Sequence, residues 1–331
     1  MTASAGLQGK QDSELFPCIL TVTLNPAVDR LIEVDCLVPG DHQVGREVSR
    51  TPGGKGINVS RVLAALGVGS IATGLLGEAN RDEFADFLTG PLIEDEFVLL
   101  AGRTRQNTTI ADRSTGLHTH IRDAGLPVDR PAITRLADKL RSLVSRGAIV
   151  AFSGSLPPGA GPDDFAELVG ICAAAGARVA VDSSGPALAA AAAGKLWLIK
   201  PNVQELAELV GRNLETLDEQ LAAARELAAR TDYVLLSRGR DGACLVTKDH
   251  ALCARAEVEA SAVRNTVGCG DALLGAFLAS IIRHEDAATA LRKAVATASA
   301  SACQATSAGF EAELAARLLK GVQCREPAGV G

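Results

Sequence analysis

Short β-rich runs alternate with longer helical patterns along this 331-residue chain, and that alternation admits few folds. Cys18–Leu24 reads as a buried strand. Gly56–Leu66 then carries Val59, Val62, Leu63 and Leu66 at helical spacing. Further strands are expected at Ala148–Phe152, Ala177–Val181, Leu196–Ile199 and Tyr233–Leu236, with Ala243–Val246 as a hairpin partner. Helices are expected at Asp163–Ala175, Val203–Val210, Leu217–Arg230, Asp271–Ile282, Ala287–Cys303 and Glu311–Lys320. This repeat calls for an α/β fold whose mostly parallel sheet is covered by helices on both faces. In such folds ligands bind beyond the carboxyl ends of the strands. Asn25, Asp29, Ser153, Ser155, Asp182, Asn202 and Ser237 all fall there.

Two stretches break the alternation. Residues 30–50 and 103–122 read as strand-like segments with polar turns, expected to form a small sheet over the carboxyl edge. Such a lid would exclude water from a reaction that water would spoil. Two lids could also pair between subunits, which makes a homodimer the expected assembly. The expected organisation is one domain over 18–320, with a flexible tail at 1–17 and another at 321–331.

Composition removes several function classes. Lys and Arg number 33 against 39 Asp and Glu, with no basic block, and aromatics are 3%. Neither nucleic acid nor an anionic membrane suits such a surface. No run of 18 apolar residues is present and the first 16 residues lack a signal-peptide core, so a cytoplasmic protein is expected. The eight cysteines contain no C-x-x-C pair and read as buried free thiols rather than disulfides or a zinc site.

The chemistry concentrates in Asn265-Thr-Val-Gly-Cys-Gly-Asp271, which runs straight into an apolar helical stretch. Gly268 and Gly270 let successive amides converge, and a helix N-terminus adds partial positive charge. Asp271 places a carboxylate at the mouth of that anion site. The combination suits phosphoryl transfer to a hydroxyl: amides hold the developing phosphate charge while Asp271 takes the proton. A tight turn with an N-cap aspartate is the structural alternative.

Other motifs fit around it. Pro52-Gly-Gly-Lys-Gly-Ile-Asn58 opens a helix with three glycines, which suit either close backbone approach to a small polar ligand contacted by Lys55 and Asn58 or simply a Gly-rich helix entry. It is not a phosphate loop of the Gly-Lys-Ser/Thr kind, and no dinucleotide fingerprint is present. Asp29, just beyond the first strand, suits either paired sugar hydroxyls or an ordinary turn. Asn202 and Glu205, three apart at a strand-to-helix junction, suit either magnesium-bound water or a reciprocal helix cap. Ser237-Arg-Gly-Arg-Asp-Gly242 can bend around a nucleotide or be a surface turn. Arg103 and Arg105 form a basic patch suited either to phosphate or to the solvated face of a lid strand. His118 and His120 share a strand face without a third metal ligand and read as structural or solvent-facing.

Taken in order, Thr23–Asp29, Gly53–Val59, Gly102–Asn107, Ser153–Gly159, Val181–Gly185, Lys200–Asn202 with Glu205, and Thr266–Asp271 resemble the PfkB branch of the ribokinase-like sugar kinases, and within it the phosphosugar kinases. The resemblance spans about residues 20–310. It implies a three-layer α/β/α sandwich with a small β-sheet lid, and ATP and Mg2+ as cofactors. The implied reaction converts fructose 1-phosphate to fructose 1,6-bisphosphate. Phosphorylation of fructose 6-phosphate or tagatose 6-phosphate is the alternative, and a non-catalytic sugar-phosphate sensor is the alternative of another class. It implies Asp271 as base, with the amides of Gly268, Cys269 and Gly270 as anion hole. Asp29, Gly53, Gly54, Lys55, Asn58, Asn107 and Ser155 would hold the sugar, with Arg105 on its phosphate. Lys200, Asn202, Ser237, Gly239, Gly242 and Thr266 would line the ATP site, with Asn202 and Glu205 on the magnesium. Cys269 stands where these kinases usually carry Ala, and adds a site for oxidation or alkylation. Thr109 stands where many carry Lys, which leaves the position of the substrate phosphate open.

Overall fold

The structure, a computed structural model, describes residues 18–88, 90–304 and 306–327; the expected N-terminal tail at 1–17 lies outside them. In chain order the first elements are strands β1 (Ile19–Thr23), β2 (Ala27–Val34) and β3 (Arg46–Gly53), helix α1 (Lys55–Ala65), β4 (Ser70–Gly77), α2 (Asp82–Leu88), β5 (Ile93–Asp95), β6 (Val98–Leu100), β7 (Arg105–Asp112) and β8 (His118–Ile121). There follow α3 (Arg130–Leu143), β9 (Ile149–Ser153), α4 (Pro162–Ala174), β10 (Arg178–Asp182), α5 (Gly185–Ala192), β11 (Leu196–Ile199), α6 (Val203–Val210), α7 (Leu217–Ala228) and β12 (Thr231–Ser237). The last are β13 (Ala243–Val246), β14 (Ala251–Arg255), α8 (Cys269–Ile282), α9 (Ala287–Ala302), α10 (Ala312–Gly321) and β15 (Gln323–Arg325).

The large sheet runs β15-β14-β13-β12-β11-β10-β9-β1-β4-β5, with β6 also paired to β4. From β12 through β5 the pairings are parallel, and β13, β14 and β15 add an antiparallel edge. The central strands are apolar on both faces, as a sheet buried on both sides requires. Leu20, Val22, Val150, Phe152 and Val181 pack with Leu136, Phe165, Leu188, Leu206 and Leu221 of α3–α7. The opposite face sends Ile19, Ile149, Ala151 and Leu198 against Val59, Leu63, Leu274, Phe277, Leu291 and Val295 of α1, α8 and α9. This is the expected three-layer sandwich. From β1 the chain crosses first to β4 on one side and later to β9 on the other, so a crevice opens at the carboxyl end of β1.

The segments around 30–50 and 103–122 contribute to a second sheet, β3-β2-β7-β8. It grows from the carboxyl end of β1 through Asn25 and Pro26.

Three expectations fail. The free cysteines are not uniformly buried: Cys36 is exposed, and Cys172 alone among them is fully buried. Cys244 and Cys253 are not free thiols: they face each other in the β13–β14 ladder, with Cα atoms 4.1 Å apart, and are disulfide-bonded. They are nine positions apart in sequence, and the unrecognised hairpin brings them together. Residues 321–327 are not all tail, because Gln323–Arg325 pairs with β14.

Candidate active site

Asp271 lies in the first turn of α8, with 4% of its surface exposed. Gly268 is the N-cap, in the left-handed region at φ 84°. A side chain there would be strained and would also collide with the backbone of Ala308. Gly268 therefore brings no capping side chain, and the first amides of α8 remain to meet an anion. The Cys269 amide reaches only the Thr266 carbonyl, at 3.4 Å. The helix begins at Cys269 with Gly268 as its N-cap, so the amides of Gly268, Cys269 and Gly270, with that of Asp271 after them, lie where N–H groups have no partner within the helix. Thr266 itself is exposed.

Around Asp271 the fold assembles polar and charged groups from three distant segments. Asn58 of α1 donates Nδ2 to Asp271 Oδ2 at 2.8 Å. Asp182, at the end of β10 and 1% exposed, holds two ammonium groups. Lys55 Nζ sits 3.0 Å from its Oδ1, and Lys200 Nζ, following β11, sits 3.2 Å from its Oδ2. A Cβ on Gly270 would come within 3.2 Å of Lys200 Nζ, so the Lys200 ammonium lies against the anion turn itself. That contact explains a glycine at 270 better than backbone freedom does.

These contacts set the protonation states. Burial, then the like charge of Asp182, push the Asp271 carboxyl up to about 7, against the pull of Lys55, Asn58 and Lys200. Burial also works against ionisation of Asp182, but Lys200 and Lys55 outweigh it and hold that carboxyl below its ordinary value. Lys55 loses charge stability to burial and more than regains it from Asp182 and Asp271, so its pKa is raised. Two carboxyls driven apart in this way can divide the roles of fixed anion and base between them. Burial pushes the Cys269 thiol up to about 11, which keeps it protonated and unreactive at neutral pH.

The sugar-side candidates meet where the two sheets join. Asn107 Nδ2 donates to Asp29 Oδ1 at 2.8 Å, and the two residues are partners in the β2–β7 ladder. Gly53 ends β3, where a Cβ would press within 2.9 Å of Asp29 Oδ2; Gly54 is the N-cap of α1. Burial raises the Asp29 carboxyl, opposed by Asn107, Arg105 and Arg122. The oxygens Asn58 Oδ1 and Asn107 Oδ1 are buried without a hydrogen-bond partner, an arrangement that a bound ligand would complete. Arg105 is more committed than its sequence context suggests. It donates to the carbonyls of Pro26, Asp123 and Asn25 at 3.3, 2.9 and 3.0 Å. Two of its five N–H donors remain. Ser155 is exposed and meets Asn25 Nδ2 at 3.4 Å.

On the other side, Asn202 and Glu205 form the reciprocal cap of α6, each side chain accepting from the other's amide at 2.8 Å. The Ser237 amide bonds the Pro201 carbonyl at 3.0 Å, and Asn202 bridges to Ser237. Gly239 and Gly242 bound a single 3-10 turn just beyond. Lys200, Asn202, Ser237 and that turn thus share the ends of β11 and β12. His118 and His120 stay outside, exposed on β8, and no cluster of three or more metal-binding side chains occurs among the described residues. The role of Asp182 as the ionic hub is the part sequence reading missed; its only signal was a carboxylate at a strand's carboxyl end.

A doubly covered parallel sheet, a buried carboxylate at a helix N-terminus and an ammonium against the same turn define a carbohydrate-kinase-like site. Comparison agrees. The family model for pfkB family carbohydrate kinases matches residues 22–312, and the chain belongs to that family. It is 37% identical over 286 residues to a 1-phosphofructokinase of Xanthomonas campestris pv. campestris, covering 85% of this chain and 88% of that protein. It is 33% identical over 285 residues to a 1-phosphofructokinase of Bacillus subtilis, covering 86% and 92%. Among solved structures, phosphofructokinase-2 from Escherichia coli, crystallised with potassium, superposes with a TM-score of 0.86 at 28% identity. That match covers 92% of this chain and 98% of the other.

Proposed function

We propose that this chain transfers the γ-phosphoryl group of ATP to a hydroxyl of fructose 1-phosphate, giving fructose 1,6-bisphosphate and ADP. The observation that carries the mechanism is the buried Asp271 carboxyl, lifted to about 7 beside the Lys200 ammonium and the first amides of α8. Asp271 accepts the proton of the attacking hydroxyl. The α8 amides and Lys200 meet the negative charge that spreads over the transferring group. Asn58 aims the base, and Asp29 with Asn107 orients the sugar. The substrate assignment draws on the relatives named 1-phosphofructokinase.

Magnesium fits the residues present. Glu205 Oε2 accepts one amide, and a carboxylate has room for further donors, so Glu205 and Asn202 would hold the water shell of a Mg2+ ion. Such an ion usually keeps several waters and takes its other ligands from nucleotide phosphates. When bound, it would neutralise charge on the ATP phosphates.

Asp271→Asn tests the proposal through coupled ADP release. Turnover should fall at least ~10²–10⁴-fold, the range for loss of a general base, with KM for ATP little changed. Near-normal turnover would remove Asp271 from that role. A second reading, fructose 6-phosphate as acceptor, is favoured by one relative: Escherichia coli phosphofructokinase-2 was solved with fructose-6-phosphate bound, at a TM-score of 0.83 and 28% identity.

We also infer a homodimer through the small sheet. Val38, Val44, Val48, Leu117 and Ile121 are large apolar residues exposed on that sheet or its connections, and apolar patches of this kind mark contact surfaces. Sedimentation of Ile121→Glu should show a monomer where the wild type is dimeric.

A further inference from the structure

We infer that Arg122 grips the phosphate already carried by the sugar, with Arg105 as its positioning residue; this rests on the phosphosugar reading above. In the antiparallel β7–β8 ladder Thr109 faces His120 and Thr108 faces Ile121. Directly opposed residues share a face and faces alternate along a strand. Carried one residue past the end of β8, that register would set Arg122 level with Asn107, on the face that carries Thr109 and His120. Those two are joined by a 3.0 Å hydrogen bond between Thr109 Oγ1 and His120 Nδ1. Asn107 lies beside Asp29 and bonds it. One face of the small sheet thus gathers a carboxylate, a carboxamide and a guanidinium at the mouth of the sugar site.

The chain around Arg122 is fastened while its side chain is not. Arg105 Nη1 holds the Asp123 carbonyl at 2.9 Å, and its other two bonds tie that clamp to Asn25 and Pro26 at the end of β1. Asn25 Nδ2 holds the Ala124 carbonyl at 3.1 Å. Gly125 follows at φ 118°, so close to the Asn25 carboxamide that a Cβ would collide with it. Arg122 itself is exposed and makes none of the side-chain hydrogen bonds or ion pairs found among the described residues. Its positive field reaches both Asp29 and Arg105. The nearby Asp123 carboxylate is turned into its own bend, accepting the Gly125 amide at 3.3 Å. Two guanidiniums held close together favour an anion between them, and the planar fork of arginine matches a phosphate. Arg105, already bound to three carbonyls, sets the geometry; Arg122 has its full set of donors to give.

The test combines kinetics with binding. Arg122→Ala, Arg122→Lys and wild type are assayed with ATP and fructose 1-phosphate, and with fructose lacking a phosphate. Binding of fructose 1-phosphate in the absence of ATP is measured by titration calorimetry. The expected result for Arg122→Ala is a KM for fructose 1-phosphate raised about 10–100-fold, the loss of a charge-assisted phosphate contact. Its kcat and its KM for ATP should stay within about two-fold of wild type. The preference for fructose 1-phosphate over fructose should fall by the same factor as the calorimetric affinity, with partial recovery in Arg122→Lys. Unchanged affinity and KM in Arg122→Ala would overturn the inference. A wild type that binds fructose 1-phosphate through Arg122 yet never phosphorylates it would overturn the proposed reaction instead.

Discussion

Replacing Asp182 by Asn should separate its electrostatic work from its structural work. Asp182 is 1% exposed and holds Lys55 at 3.0 Å and Lys200 at 3.2 Å. The Lys55 side chain is 40% exposed and can turn to water, whereas Lys200 is 4% exposed and cannot. Removing one partner of a buried pair strands the other charge, at about 3–5 kcal/mol. With an unfolding entropy of roughly 2.1 cal/mol/K per residue, the 331 residues translate that loss into a fall in Tm of about 4–7 °C. The catalytic effect has the opposite sense. Asp182 raises the Asp271 carboxyl, and Lys55 and Lys200 lower it. Deleting the anion and freeing both cations therefore moves the Asp271 pKa downward. Charges about one ammonium group apart, ~6–10 Å at an effective dielectric near 20, interact by roughly 2–3 kcal/mol, or about one to two pH units. In wild type, kcat/KM should drop about tenfold per unit below pH ~7 as the base protonates. In Asp182→Asn that acid limb should lie one to two units lower even though the plateau falls. The assay is ADP release across pH 5–9 on protein shown by melting to be folded. An acid limb that stays in place, or moves upward, would refute the hub argument.

Other perturbations read neighbouring contacts. Asn58→Ala removes the hydrogen bond that lowers the Asp271 carboxyl, so its acid limb should move up, opposite to Asp182→Asn; titration of kcat/KM decides. Gly270→Ala pushes a Cβ toward Lys200 Nζ. Since a lysine end can shift, Tm should change little while kcat falls, and a loss of Tm without loss of kcat would contradict this. Asn202→Ala breaks the α6 cap and should cost about 1 kcal/mol. A rise in KM for ATP beyond that cost, measured at saturating sugar phosphate, would mark the nucleotide role. Reducing the Cys244–Cys253 bond, whose cysteines are nine residues apart, should lower stability by roughly 2–3 kcal/mol in the chain-entropy account. Melting with and without a thiol reductant checks this.

What could be read from the sequence follows from how locally each feature is encoded. Leu196–Ile199, Val203–Val210 and Ala243–Val246 match their observed bounds, because short apolar runs next to Pro, Gly or a capping Asn define themselves. β4 was not legible, although it pairs with β1 at the centre of the sheet. Gly74 interrupts its apolar pattern, and the glycine is needed because Thr23 of β1 crowds that point. The hairpin partner β14 was likewise invisible, and with it the disulfide. At the site, Asp271, Asn58, Lys55 and Lys200 could be named because each sits in a glycine- or proline-marked turn. That Asp182 joins the two lysines is a fact of sheet order, and the inferred place of Arg122 level with Asn107 follows from the β7–β8 register. Neither is written in any local run of residues.

The most direct measurement is ADP release with magnesium-ATP and, side by side, fructose 1-phosphate, fructose 6-phosphate and tagatose 6-phosphate. The account predicts a kcat/KM for fructose 1-phosphate at least about tenfold above the others, roughly 1.4 kcal/mol of transition-state discrimination. Equal or greater kcat/KM for a 6-phosphate would contradict the assigned substrate, and no ADP release with any of the three would contradict the reaction itself.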